Sequence, residues 1–444
     1  MIRFFKSLYL TNRTYYVLGA IILLFFISYW IVALYPFIWL LCIGIFIIFA
    51  IDFAALYGLK DGIKGSRELA DKFSNGDYNE VQIRLENRYR FRIRTEIIDE
   101  IPYQFQKRDF NKTLTVDAAS QTQFTYQLKP LARGEYKFGF LNVYISSRIA
   151  LIKRRYRFEK EYLVKVYPSF IQMKKYDILA LDTRSYILGV RKTRRIGHTM
   201  DFEQIKEYVT GDDVRSINWK ATAKRGSLMI NQFQDEKSQP VYSIIDASRV
   251  MKMPFNGLSL LDYAINSSLS FSNIAIRKQD KAGLLVFSNT VSSFLPPMGK
   301  RSYINVISET LYNNKTAFLD ADYGTLYAHV KQKITQRSLL LLYTNFEHFS
   351  ALERQLPYLR TLAKKHMLVV IFFKNTELDS LINLPGTSIP EIYQQTIALQ
   401  FAQEKKRMVK ELQKYGIQTI LTTPQQLTTD TINKYLEIKA RGIL

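Results

Sequence analysis

The chain has 444 residues, 47% of them hydrophobic, which allows two or three folded domains and a membrane part. Its 62 Lys and Arg against 39 Asp and Glu give a formal charge of +23 and draw it to anionic lipid, acidic protein or nucleic acid. A single cysteine, Cys42, excludes an internal disulfide, and no zinc-finger spacing or aromatic-glycine signature supports nucleic acid.

Residues 1–76 read as a membrane anchor and linker. Tyr15 to Leu34 and Phe37 to Leu56 are apolar runs, the second broken only by Asp52. At 1.5 Å per residue each reaches about 30 Å, the thickness of a hydrocarbon core. Only Tyr35 and Pro36 separate them, so the runs predict a two-helix transmembrane hairpin over about 15–34 and 37–56. Trp30, Tyr35 and Trp39 mark its turn. Arg3, Lys6 and Arg13 precede the hairpin, and Lys60, Lys64, Arg67 and Lys72 follow it. Both ends, and all soluble parts, are therefore expected in the cytoplasm. Asp52 reads as an interfacial carboxylate that snorkels toward water. Lys60 to Asn75 reads as a helical or irregular linker.

From residue 77 to 168 the period changes to two. Short β-rich runs at 81–85, 91–94, 124–128, 136–140, 141–145 and 162–167 predict a small antiparallel β-sandwich. The basic run Lys153-Arg154-Arg155-Tyr156-Arg157 reads as a solvated strand or loop, or else as a lipid-facing patch.

Residues 169–240 form a connecting segment that carries a long polar stretch, Arg195 to Gln234. Gly211-Asp212-Asp213 is a turn signal, with Asp212 as N-cap of a helix from Asp213 to Lys224. Val214, Ile217 and Ala221 would form its apolar face. Lys224 and Arg225 suit its last turn, and Gly226 its end. A strand is expected over Leu228 to Phe233.

Residues 241–444 alternate apolar strands with helices: strands at 241–246, 282–288, 291–295, 338–344, 367–373 and 417–422, helices at 258–278, 301–312, 327–334, 351–365, 390–415 and after Pro424. This pattern predicts an α/β domain with a doubly wound, mostly parallel sheet covered on both faces. Ligands in such sheets bind at the carboxyl ends of the strands.

The stretch G-D-D-V-R-S-I-N-W-K-A-T-A-K, followed by a strand and then I-I-D-A-S, resembles the bacterial membrane-protein family known as domain of unknown function fifty-eight. The order of modules resembles that family along almost the whole chain. Its common form has Asp before the Trp, where this chain has Asn218. The resemblance singles out Glu203, Tyr208, Gly211, Asp212, Asp213, Arg215, Asn218, Trp219 and Lys220 as a motif that braces the sheet or faces a partner. It also implies a protein of the bacterial inner membrane.

Asp246-Ala247-Ser248-Arg249-Val250 is similar to the start of the metal-ion-dependent adhesion site of von Willebrand factor A domains, Asp-x-Ser-x-Ser. The likeness implies a von Willebrand factor A-like C-terminal domain, with Asp246, Ser248, Thr325 and Asn345 as metal ligands. Val250 has no oxygen to offer, and Asn345 stands where the pattern has Asp. Such a degenerate set would hold Mg²⁺ only weakly.

No P-loop, nucleophile elbow or zincin motif occurs, and His198, His329, His348 and His366 have no ligand spacing. The expected function is a membrane-anchored, non-catalytic protein-binding or scaffold module on the cytoplasmic face. The family resemblance implies a partner, an AAA+ ATPase of the MoxR type. The alternative is a metal-dependent hydrolase or transferase using the acidic motif around Asp212 and Asp213. Nucleic-acid binding ranks third.

Overall fold

The computed structural model describes residues 7–158, 161–181, 201–210, 214, 217–234, 238–316, 318–383 and 388–442. The chain divides into two units, Met1–Tyr167 and Pro168–Leu444.

The first unit opens with a short strand, Leu8–Leu10, and two apolar helices, Asn12–Ser28 and Tyr35–Tyr57. The second helix has Pro36 in its first turn, where the missing N–H costs nothing. With the 3₁₀ turn before it, Val32–Tyr57 has a mean hydropathy of 2.6. It is the one helix, among the described residues, long and apolar enough to cross a membrane. The first apolar run was expected to be helical to Leu34. It stops at Ser28 instead, where the hydroxyl donates to the Phe25 carbonyl at 2.9 Å. Seventeen residues reach only about 26 Å.

The rest of this unit is β-structure in three small sheets. The largest runs, in spatial order, Leu8–Leu10, Ile152–Phe158, Leu141–Ser146, Ile93–Asp99 and Lys112–Val116, all antiparallel. A second joins Ile63–Leu69, Asn79–Asn87 and Gln121–Leu128, and a third joins Lys72–Ser74, Tyr162–Tyr167 and Gly134–Phe138. Period two is plain in Asn79–Asn87, where Val81, Ile83 and Leu85 point into the core.

Two strands, Ile63–Leu69 and Lys72–Ser74, occupy what the sequence suggested was a helical or irregular linker. The first hides its alternation because an inward position holds Arg67 rather than an apolar residue. Arg67 is buried and paired with Asp99, and it donates to the Gly139 carbonyl at 3.0 Å. Gly65 in the same strand is required: a Cβ there would meet the Phe158 ring at 2.8 Å.

The second unit begins with the helix Phe170–Leu181, which packs on the helix Leu260–Arg277. A two-stranded ribbon follows, Asp201–Glu207 paired with Met229–Gln234, carrying the short helix Trp219–Arg225. The rest is a six-stranded sheet. Its spatial order is Val291–Met298, Lys281–Phe287, Pro240–Asp246, Leu339–Tyr343, Met367–Phe373, Gln418–Thr422. All neighbours are parallel except the edge pair made by Val291–Met298. In chain order this is 3-2-1-4-5-6, a doubly wound arrangement.

Alternation divides the sheet's side chains between two cores. Val241, Ile245, Leu339 and Leu341 face the helices Leu260–Arg277, Tyr303–Asn313 and Leu427–Ala440. Tyr242, Ile244, Leu340 and Leu342 face Tyr323–Lys333, Phe349–Lys365 and Ile389–Lys414. Helix starts follow sequence signals: Ser259 with Asp262 and Ser388 with Glu391 form capping boxes, and Asp322 caps Tyr323–Lys333. The strand order reverses between Pro240–Asp246 and Leu339–Tyr343, and in doubly wound sheets ligands bind outside the carboxyl ends of the strands at such a switch point.

Candidate functional site

Asp246 ends the first strand of the sheet at this switch point and is fully buried. Its Oδ1 accepts the backbone N–H of Ser248 at 2.9 Å, and its Oδ2 accepts the Thr344 hydroxyl at 2.7 Å. The Tyr323 hydroxyl lies 2.8 Å from Thr344 Oγ1 and extends the chain of bonds into the second core. Burial nevertheless pushes the Asp246 carboxyl above its ordinary range.

The other three oxygen donors of the adhesion-site pattern are placed as follows. Ser248 is buried beside Asp246. Thr325 sits in the first turn of Tyr323–Lys333, where its hydroxyl donates to Asp322 Oδ2 at 2.6 Å. Asn345 Oδ1 accepts from the Lys405 ammonium at 2.8 Å, and Lys405 also donates to the Phe346 carbonyl. Val250 packs against the first core. The four donors therefore do not fit a divalent ion as they stand. Both Asp246 oxygens are engaged by protein donors, and a lysine cation already holds the Asn345 oxygen. Among the described residues no three His, Cys, Asp or Glu side chains gather into a metal-binding group.

Of the motif residues, Gly211, Asp212, Asp213 and Arg215 lie outside the described residues, as does the side chain of Glu203, which belongs to the strand Asp201–Glu207. Tyr208 is half-buried, and its N–H donates to the Leu228 carbonyl at 2.8 Å. The helix starts later than the sequence suggested, at Trp219 rather than Asp213. The reason is Asn218. Its Oδ1 accepts the Ala221 N–H at 3.0 Å as an N-cap. Its Nδ2 donates to Asn231 Oδ1 at 2.8 Å, and its N–H donates to the Met229 carbonyl at 2.8 Å. An Asp at this position could cap but could not donate to Asn231. Gly226 ends the helix at φ +73°, as expected.

Trp219 is 71% exposed, so it does not act as a buried brace between motif and sheet. Lys220 is exposed beside it. Val209, Val214 and Leu228 add exposed apolar surface in the same stretch.

In the first unit, the sequence missed what Asp52 does. It is fully buried, not snorkelling. Its carboxylate accepts the Ser147 hydroxyl and the N–H groups of Leu151 and Ile152. From the preceding helix Thr11 Oγ1 donates to the Ala150 carbonyl at 2.7 Å, and Thr14 to that of Leu151. Arg154 closes the end of the apolar helix: its guanidinium donates to the Leu56, Leu59 and Lys60 carbonyls at 2.5, 2.6 and 2.8 Å. A cation there meets orphan carbonyls and the negative end of the helix dipole. Lys153 pairs with Glu96, and Arg155 donates to Asn142. Most of the basic run is thus engaged within the module rather than simply solvated.

Residues 204–386 match the family model described as "Protein of unknown function DUF58". "Uncharacterized protein YeaD" of Bacillus subtilis (strain 168) is 25% identical over 122 residues, 28% of this chain and 30% of that protein. The chain thus matches under a third of the length of this curated relative. Among solved structures, the conserved hypothetical protein BatB from Bacteroides thetaiotaomicron aligns with 46% of this chain and 100% of its own, at 14% identity and a TM-score of 0.30. Proximal thread matrix protein 1 from the mussel byssus aligns with 46% of this chain and 48% of its own, at 13% identity and a TM-score of 0.27. A PapD-like domain of human CEP192 aligns with 24% of this chain and 84% of its own, at 11% identity and a TM-score of 0.19.

Proposed function

We propose that this chain is a membrane-anchored, non-catalytic protein-binding module of the bacterial inner membrane. Its two apolar helices form a hairpin with both ends on the cytoplasmic face. Its C-terminal unit is a von Willebrand factor A-like domain that engages a protein partner there, an AAA+ ATPase of the MoxR type that supplies ATP hydrolysis. The observation that carries this reading is the state of the sheet's switch point. The Asp246 carboxylate accepts from Ser248 N–H and the Thr344 hydroxyl, and Asn345 is held by Lys405, so among the described residues the two acid and amide positions of the pattern are already engaged by protein donors. The 3-2-1-4-5-6 order with one antiparallel edge strand supports the A-like assignment. The apolar helix ending at Tyr57, sealed to its own β-module by Asp52 and Arg154, supports the anchor. The hydrolase or transferase alternative rests on Asp212 and Asp213, and no described residue adds to it.

Crosslinking in native membranes, followed by capture through a tag after Leu444, tests the partner. Recovery of a MoxR-type ATPase above an untagged control is expected, and its absence removes the assignment. A reporter at the same position tests topology, because activity confined to the periplasm would overturn the positive-inside reading.

A further inference from the structure

At the carboxyl ends of the last three strands of the sheet lies a cavity of about 630 Å³. That is within the roughly 300–1,000 Å³ usual for small-molecule sites. Its walls are mostly apolar: Phe255, Phe373 and Leu421 near the sheet, Leu378 and Leu399 from the helices Thr376–Asn383 and Ile389–Lys414. Its charged lining is three lysines, Lys374, Lys405 and Lys406, against one carboxylate, Glu347.

Lys405 is the best defined of the three. Two of its N–H groups go to Asn345 Oδ1 and the Phe346 carbonyl, and an ammonium has three. A cation in that position gains from an anion brought into the cavity, because both of its present acceptors are neutral. The lining includes no arginine among the described residues, so it lacks the planar fork that suits phosphate. An apolar enclosure with a single well-held ammonium suits one carboxylate on an aliphatic body.

We propose that this cavity binds an amphipathic carboxylate, an aliphatic chain of medium length with one terminal carboxylate. The Lys405 ammonium is its counter-ion, and the walls around Leu378 and Leu399 take the chain. This site is separate from the partner reading: it stands or falls by ligand binding, whichever protein the module engages.

The test is photolabelling of the full-length protein in its native membranes with a dodecanoate bearing a mid-chain diazirine, followed by peptide mapping. Label is expected on peptides that contain Leu378 or Leu399. Excess decanoate should reduce it about tenfold, and the same concentration of decanol, which cannot pair with the Lys405 ammonium, should reduce it far less. Lys405→Met should lower the cavity label about tenfold, and Lys405→Arg should keep most of it. Leu399 is 44% exposed, so Leu399→Trp should fold and reduce the label by filling the cavity. Label confined to the two N-terminal helices would overturn the proposal. So would equal competition by decanol, or undiminished label in both Lys405→Met and Leu399→Trp.

Discussion

The carboxylate of Asp52, inside an otherwise apolar helix, accepts the backbone N–H of Leu151 at 3.0 Å. It is the centre of a clamp. Ile152 N–H and the Ser147 hydroxyl reach the same carboxylate, while Thr11 and Thr14 hold the carbonyls of Ala150 and Leu151 from the other apolar helix. The turn before the strand Ile152–Phe158 is therefore gripped by both helices, and anchor and β-module are built as one piece. Asp52→Ala would leave two buried N–H groups without an acceptor. It should destabilise the detergent-solubilised protein by roughly 3 kcal/mol. Asp52→Asn keeps one acceptor oxygen and should cost less. Chemical unfolding followed by tyrosine and tryptophan fluorescence checks this, and equal stability of Asp52→Ala and wild type would refute the clamp.

The motif helix separates a structural residue from a surface one. Asn218→Ala removes the N-cap and should cost about 1 kcal/mol. Asn218→Asp restores the cap without the donation to Asn231, and should fall between Ala and wild type. Trp219→Ala should change stability by no more than about 0.5 kcal/mol, because the indole is mostly in solvent. Its effect, if any, should appear in partner capture instead. A large loss of stability in Trp219→Ala would mean that the ring is covered in the folded protein.

Mg²⁺ should not raise the melting temperature of the unmodified protein, since stabilisation requires a concentration well above the dissociation constant. Val250→Ser with Asn345→Asp would add an oxygen and a charge, yet the new carboxylate would first pair with Lys405. That pair of changes alone should leave the Mg²⁺ response flat, and adding Lys405→Met should produce one. A Mg²⁺-dependent rise in the wild type, abolished by Asp246→Ala, would contradict this reading of the switch point.

Lys405 also makes stability depend on alkaline pH. Its folded pKa of about 8 lies below the ordinary 10.5, so between these values the unfolded chain holds a proton that the folded one has released. Stability then rises with pH across that window and is flat below it. Measured as wild type minus Lys405→Met, the difference should grow from about pH 8 toward 10.5. A difference that shrinks over the same window would mean that the ammonium is stabilised by its site.

Much of the architecture could be read in the sequence because burial leaves a period. Met367–Phe373 and Leu339–Tyr343 are unbroken apolar runs because both faces of the sheet are covered. Asn79–Asn87 alternates because only one of its faces is. Failures came where a polar residue does a buried job. Arg67 faces inward in Ile63–Leu69 and erases the alternation, and Asp52 looked interfacial because its partners lie about a hundred residues away. In the ribbon, a register shift between Phe202 and Gln204 breaks period two in Asp201–Glu207. At the candidate site, Asp246 and Asn345 stood out by pattern, but Thr344 and Lys405, which occupy their oxygens, carried no local signal. The cavity left none either, since its lining is drawn from Met253 to Pro424.

The most direct measurement of the proposed function is the set of proteins crosslinked to the tagged chain in its native membrane. If the chain is a binding module for an AAA+ ATPase of the MoxR type, that ATPase should be enriched over an untagged control, and ATP turnover in the purified complex should survive Asp246→Asn. Recovery of no such ATPase, together with a hydrolytic or transfer activity of the purified chain that Asp246→Asn abolishes, would contradict it.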